Sequence, residues 1–127
     1  MILPKKGEEV PCEKIEEICK YYGLTDLWEK IDNDYPIKPF KSDGCSIWFD
    51  KFGEIDLYEA CFKHDLKYWC GRPDEEAERL IADAELMIDV ARAGAPRMAK
   101  IMFAGVQAGG HEALNRSFSW GFGRIRD

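Results

Sequence analysis

One short stretch, residues 59–69, carries side chains whose types and spacing could perform acid–base chemistry. They are Cys61, His64, Asp65 and Tyr68. Because they recur three to four residues apart, on a helix they all project from one face. A histidine oriented by a carboxylate is a general base that can take a proton from water or from a hydroxyl nucleophile. Polar groups among apolar neighbours are costly unless they are satisfied, so this face should meet polar partners, a bound cation, or both.

A second acidic side chain is a candidate partner for the histidine. Asp83 lies apart from the polar arc of its predicted helix, among the apolar residues Leu80, Leu86, Met87 and Val90. An unpaired carboxylate is expensive in such surroundings. The helices that carry His64 and Asp83 are joined by a short turn, which predicts an antiparallel hairpin. A hydrogen bond between the two side chains is then geometrically reasonable; a solvated Asp83 at the edge of the apolar stripe is the alternative.

The elements that position these residues are predicted to be helices. Helical periodicity and terminal residues indicate an all-α fold, in which two long antiparallel helices carry the active site and shorter helices pack around them. The predicted helices cover residues 12–22, 25–31, 56–70, 74–93 and 97–108. Thr25, Asp56 and Asp74 are the predicted N-caps, Asp56 within a capping box. The core-facing stripe of the second long helix is predicted to hold Ala77, Leu80, Ile81, Ala84, Met87, Ile88 and Ala91.

The rest of the chain is predicted to complete a single domain, with an arm at one end and a tail at the other. Residues 1–127 are expected to form a single domain, because a chain of this length builds one modest core. Residues 1–10 read as an extended arm, and residues 109–127 as a basic tail rich in glycine and aromatic residues. The aromatics Phe118, Trp120 and Phe122 are expected mainly to pack against the helices, with a lipid-facing rim as the alternative. No signal peptide and no membrane span are visible.

The net charge of −6 is unevenly distributed. Residues 1–91 carry a balance of −10, and residues 92–127 carry +4. A basic region of this kind could face phosphates on a membrane or on nucleic acid. It is more often a solvated surface that compensates an acidic neighbour, and we favour that interpretation.

The five cysteines leave the redox compartment open. They are Cys12, Cys19, Cys45, Cys61 and Cys70, an odd number without paired C-x-x-C units. The spacing therefore argues against a zinc site. One or two disulfides are expected if a signal was removed and the protein is secreted, and free thiols if it is cytoplasmic.

A turn-like segment ahead of the His64 helix could supply ligands for a cation. In residues 41–46, Asp43 offers a carboxylate and Gly44 lets backbone carbonyls approach closely. Asp65 is adjacent to His64 and could add further oxygens. Oxygen-only ligation indicates calcium rather than zinc, whereas Asp-Gly alone is usually only a turn.

Three motifs together resemble a known family. The sequences DGCS at 43–46, ACFKHDLKY at 60–68 and AD at 82–83 look like the secreted phospholipase A2 superfamily, in particular its small helical prokaryotic and fungal branch. The resemblance spans roughly residues 40–108. It implies calcium-dependent hydrolysis of the sn-2 ester of glycerophospholipids at a membrane or micelle surface. We expect a monomer, and no nucleic-acid partner because the sequence holds no motif that supports one.

The resemblance also assigns roles. It implies His64 as the base, Asp83 as its orienting partner, and Asp43, Gly44 and Asp65 as the calcium ligands. Tyr68 would support the carboxylate network, and a Cys45–Cys61 bridge would tie the calcium loop to the catalytic helix. The chain departs from the animal enzymes in lacking their glycine-rich calcium loop and adjacent double cysteine.

Two other classes of protein compete with the enzyme. One is a catalytically inactive relative that acts as a calcium-binding or toxin-like interaction module. The other is a plain helical interaction domain in which His64 has a structural role only. The joint presence of His64, Asp65 and Asp83 favours the enzyme, because loss of any one of them would disable the chemistry.

Overall fold

The computed structural model describes residues 1–45, 51–109 and 119–124. The helices in these ranges are α1 (Cys12–Tyr21), α2 (Thr25–Asn33), α3 (Tyr58–Trp69), α4 (Glu76–Arg92) and α5 (Pro96–Gly109). The short strands are β1 (Glu9–Val10), β2 (Phe40–Lys41), β3 (Lys51–Phe52) and β4 (Ile55–Asp56). β1 pairs with β2, and β3 with β4, both antiparallel. The described chain is therefore mostly helical, in agreement with the predicted all-α class.

No helix within the described ranges is long and apolar enough to cross a membrane.

α3 is the central helix of the described structure. Eight of its twelve residues are buried, and five of these belong to two apolar clusters. Phe62, Leu66 and Trp69 pack with residues of α1, α2 and β2. Ala60 and Cys61 pack with residues of α4 and α5. Because packing holds α3 on both sides, the direction of its polar side chains is fixed as well.

α3 and α4 form the predicted antiparallel hairpin. Two ion pairs between the helices show the direction: Lys63 Nζ lies 3.1 Å from Asp89 Oδ2, and Lys67 Nζ lies 3.4 Å from Glu85 Oε1. A step of four residues forward along α3 is matched by a step of four residues back along α4. This register places the middle of α4 beside His64.

Two predicted helix starts are wrong in detail, and one is partly right. Thr25 is the first residue of α2, and Asp74 precedes α4 with a φ of 72°; neither start has a side-chain cap hydrogen bond. Aspartate tolerates this left-handed conformation better than most residues, so Asp74 serves the turn and not the helix end. Asp56 does accept a hydrogen bond from the Tyr58 N–H at 2.9 Å, although α3 itself begins at Tyr58.

The inward face of α4 also differs from the predicted stripe. The buried residues of α4 are Arg79, Ala82, Asp83, Leu86 and Val90. Leu80, Ile81 and Ile88 from the predicted stripe are 50%, 57% and 43% exposed. With 3.6 residues per turn, the arc that holds Asp83 and the arc that holds Ile81 and Ile88 point in different directions. Burying Asp83 beside its partners therefore turns much of the apolar stripe towards solvent.

Truncation of one residue from each arc tests this orientation. Leu86→Ala should lower the free energy of unfolding by about 2–5 kcal/mol, because Leu86 is 2% exposed and packs within the cluster shared with α5. Ile81→Ala should change it by about 0.5 kcal/mol or less, as is usual for surface positions. Urea denaturation of both variants measures the difference. Equal losses would show that the Ile81 arc is covered, against the orientation described.

Candidate active site

His64 and Asp83 are brought together as the sequence predicted. His64 Nε2 lies 2.7 Å from Asp83 Oδ1, and the two residues are 7% and 0% exposed. A carboxylate accepts hydrogen bonds and cannot donate them, so Nε2 carries the proton and donates it to Asp83. The other ring nitrogen, Nδ1, then holds the lone pair. Among the described residues nothing hydrogen-bonds to Nδ1, which leaves it available as a base.

Burial adjusts the basicity of the imidazole. Desolvation lowers the pKa of His64 below its ordinary value of 6.5, and the positive charges of Lys67 and Arg79 act in the same direction. The hydrogen bond to Asp83 and its charge oppose this shift, but the net direction is downward. The imidazole is therefore neutral at pH 7, the state that a general base requires.

The buried Asp83 has donors on both carboxylate oxygens. The Tyr68 hydroxyl donates to Oδ1 at 2.6 Å, which is the supporting contact that the family resemblance implied. Gln107 Nε2 donates to Oδ2 at 2.5 Å, and Arg79 Nη1 lies 3.5 Å from the same oxygen. Buried carboxylates require such partners, and these hold the side chain in one orientation.

Sequence reasoning missed two of these donors. Arg79 precedes Asp83 by four residues on the same helix, a spacing at which opposite charges meet, so a local signal existed. Gln107 lies 24 residues beyond Asp83, and no local pattern pairs the two. Its contact depends on how α5 packs against α4.

Tyr68 is in turn fixed by a residue of the tail. The Trp120 ring packs edge-on against the Tyr68 ring with 5.2 Å between centroids, and its indole N–H donates to the Arg72 carbonyl at 2.8 Å. Gly71 makes room for this ring, since a Cβ there would lie 2.5 Å from Trp120 Cε2.

The predicted packing role of the tail aromatics is confirmed for Trp120, which is 2% exposed, and Phe122 also packs against the core. Phe118 and the other histidine, His111, lie outside the described residues.

Asp65 contacts the loop that precedes the helix, the turn-like segment of residues 41–46. Its Oδ2 accepts hydrogen bonds from the Ser42 hydroxyl at 2.8 Å and from the Asp43 N–H at 3.0 Å. The Gly44 N–H donates to Ser42 Oγ at 3.0 Å, and Gly44 has a φ of 61°. The structure thus brings Asp43, Gly44 and Asp65 into one place. Ser46 and the rest of residues 46–50 lie outside the described chain.

The charge balance of this place suits a cation. Desolvation and the neighbouring charge of Asp43 together raise the pKa of Asp65 to about 8, against the opposing effects of the Ser42 and Asp43 hydrogen bonds and the charge of Lys6. A partly buried carboxylate that is close enough to feel the charge of a second one favours either a bound proton or a bound cation. The donors are hard oxygens, which fit calcium.

The described side chains do not complete a metal site by themselves. Within residues 1–45, 51–109 and 119–124 there is no cluster of three or more His, Cys, Asp or Glu side chains that could hold a metal ion. Calcium takes six to eight oxygen ligands. A calcium ion at Asp65 would therefore depend on backbone carbonyls or water as well as on the two aspartates.

A disulfide joins the loop to the helix. Cys45 and Cys61 are bonded, as the family resemblance implied. Cys12, Cys19 and Cys70 are free, and burial raises the pKa of Cys19 to about 12 and that of Cys70 to about 11. The bridge anchors the end of the loop one turn ahead of His64 and Asp65.

The N-terminal arm supports the other end of the loop. β1 pairs with β2, and the Gly7 N–H donates to the Ser42 carbonyl at 2.9 Å. The Tyr58 hydroxyl donates to the Pro4 carbonyl at 2.6 Å. The arm therefore holds Ser42 where its side chain meets Asp65, a role that the sequence alone did not suggest.

Comparison of the chain with protein-family models, with curated proteins and with solved structures finds no match.

Proposed function

We propose that the protein is a calcium-dependent phospholipase A2-like hydrolase that cleaves the sn-2 ester of glycerophospholipids. The observation that carries the proposal is the buried His64–Asp83 pair with Nδ1 left free. The next residue of α3, Asp65, contacts the segment that holds Asp43 and Gly44. The resemblance of residues 43–46 and 60–68 to motifs of the secreted phospholipase A2 superfamily points to the same reaction.

Water is the proposed nucleophile. Cys61 is bonded to Cys45, and Ser42 is 1% exposed and donates its hydroxyl to Asp65. Neither side chain is therefore available to attack an ester. A water molecule at His64 Nδ1 has no such restriction.

In the proposed reaction, His64 first accepts a proton and then donates it. Nδ1 takes a proton from water as the water oxygen bonds to the ester carbonyl carbon. Asp83 accepts a hydrogen bond from Nε2–H and stabilises the imidazolium, while Tyr68 holds the carboxylate in place. Nδ1 then returns the proton to the leaving alcohol oxygen as the ester C–O bond breaks. The products are a free fatty acid and a lysophospholipid.

The residues proposed to hold calcium are Asp65, Asp43 and the Gly44 backbone. Calcium bound there would polarise the ester carbonyl and stabilise its developing negative charge. Ser42 orients the Asp65 carboxylate through Oδ2, and the Cys45–Cys61 bridge limits movement of the loop. A disulfide of this kind is typical of secreted proteins and of other non-reducing compartments.

The test is hydrolysis of phosphatidylcholine vesicles that carry distinguishable sn-1 and sn-2 acyl chains. Purified protein should release the sn-2 fatty acid with calcium present and none after addition of a chelator. Release of the sn-1 chain, or undiminished release in chelator, would contradict the proposal. If nothing is released while calcium still raises the melting temperature, the protein is a calcium-binding module of the same scaffold and the proposed reaction is wrong.

A further inference from the structure

Two donors on Asp83 have no part in the proposed proton transfer. His64 and Tyr68 both use Oδ1. Gln107 and Arg79 both face Oδ2. The two oxygens of one buried carboxylate thus serve different parts of the fold, and Oδ2 is directed towards α5.

Arg79 also fastens the C-terminal end of α5. Its Nη2 donates to the Gln107 carbonyl at 2.9 Å, and Nη1 lies 3.4 Å from the same oxygen and 3.5 Å from the Val106 carbonyl. The last four carbonyls of a helix lack partners within the helix, and a cation at this end interacts favourably with the helix dipole. Arg79 is 5% exposed, so these carbonyls and the acidic side chains of Asp83 and Glu76 supply the pairing that a buried charge needs.

This arrangement joins α5 to the catalytic carboxylate by two routes. Gln107 contacts Asp83 through its side chain and Arg79 through its backbone carbonyl. Because Gln107 belongs to α5 while Arg79 and Asp83 belong to α4, the contact forms only when the two helices pack in the observed register. A carboxylate held at Oδ2 cannot rotate freely about its χ2 bond, and Oδ1 stays directed at His64.

We propose that Gln107 is a positioning residue for catalysis, acting with Arg79 through Asp83 to keep Oδ1 aligned with the imidazole. The inference rests on the proposed function, since alignment matters for rate only if His64 is the base. Gln107 touches neither water nor substrate in this scheme. Gln107 orients Asp83, and Asp83 in turn orients the base, His64. A misalignment of about 1 Å can cost a large factor in rate.

The experiment compares two substitutions at one position. Gln107→Met keeps the length of the side chain and removes the donor. Gln107→Glu keeps its shape and, at pH 8, places a carboxylate against Asp83 Oδ2. We expect kcat to fall about 10-fold in the first variant, because a less firmly oriented Asp83 aligns the imidazole less well, and further in the second. KM should stay within about 2-fold, because substrate contacts are unchanged. Ala104→Met, on the exposed side of α5, introduces the same side chain away from Asp83 and should retain the wild-type kcat.

A second readout does not depend on activity. In protein labelled with ¹⁵N-histidine, the Nε2–H proton of His64 should give a distinct signal because it is hydrogen-bonded to a carboxylate. The signal is assigned by its absence in His64→Gln and by its persistence in His111→Gln. In Gln107→Met and Gln107→Glu this signal should shift and exchange faster with water.

The outcomes separate the two proposals. If both variants fold with a lower melting temperature and yet keep the wild-type kcat and Nε2–H signal, Gln107 has a structural role only, and the inference is wrong. If the Nε2–H signal changes in both variants but the wild-type protein hydrolyses no phospholipid, the link from Gln107 to His64 is supported and the proposed reaction is wrong. A lower kcat together with a changed signal supports both.

Discussion

Replacing His64 with glutamine should lower phospholipid hydrolysis by about 1,000-fold, the middle of the range for loss of a general base. The glutamine amide nitrogen can take the place of Nε2 and donate to Asp83, so the buried carboxylate keeps a partner. The variant has no group that can accept a proton from water. We therefore expect a folded protein with a nearly unchanged melting temperature and almost no activity, measured by fatty-acid release and by thermal unfolding.

Three comparisons decide whether this loss reports the base. His64→Ala should be equally inactive but less stable, because it removes a donor from Asp83. His111→Gln, the same substitution at the only other histidine, should keep activity. In the wild type, activity should fall as the pH drops below 6.5, since the pKa of His64 lies under that value and a protonated imidazole cannot act as a base. His64→Gln with activity within about 10-fold of the wild type would contradict the assignment.

The pairing of His64 with Asp83 could be predicted because its causes are local. The turn between α3 and α4 is short, so the hairpin register follows from the chain, and Asp83 is an acidic residue among apolar neighbours. The Cys45–Cys61 bridge came from the family resemblance and not from spacing, which left several pairings open. Both features are present in the structure.

The face that α4 turns inward could not be predicted from its apolar periodicity. The helix has two arcs with some apolar character, and the stripe through Ile81 and Ile88 is the more continuous one. The orientation is decided by the polar contacts that Asp83 and Arg79 make with residues of α3 and α5. The same reason hid Gln107: its partner is distant in sequence, and only helix packing brings them together. The prediction of an inward Asp83 and the prediction of an inward Ile81 stripe were in conflict, and the polar network prevailed.

Replacing Asp65 with asparagine should remove the response to calcium and lower activity by at least about 100-fold, comparable to the loss of one oxyanion-stabilising group. The change removes one of the two carboxylates at the proposed site. Asparagine keeps a carbonyl oxygen that can accept the Ser42 and Asp43 hydrogen bonds. Calcium titration monitored by melting temperature, together with vesicle hydrolysis, measures both effects.

The same substitution should stabilise the calcium-free protein. The folded-state pKa of Asp65, about 8, lies above its ordinary value of 3.8, so the folded state binds more protons between these values and loses stability as the pH rises from about 4 to 8. Asparagine does not titrate and escapes this loss, so at pH 8 without calcium Asp65→Asn should melt higher than the wild type, by roughly 4 °C for each 1 kcal/mol gained. Calcium must displace the same proton, so wild-type affinity should rise about 10-fold per pH unit as the pH increases towards 8. Asp65→Asn that is inactive and also less stable would indicate that Asp65 holds the loop together. An inactive, more stable variant whose melting temperature no longer responds to calcium supports Asp65 as a ligand.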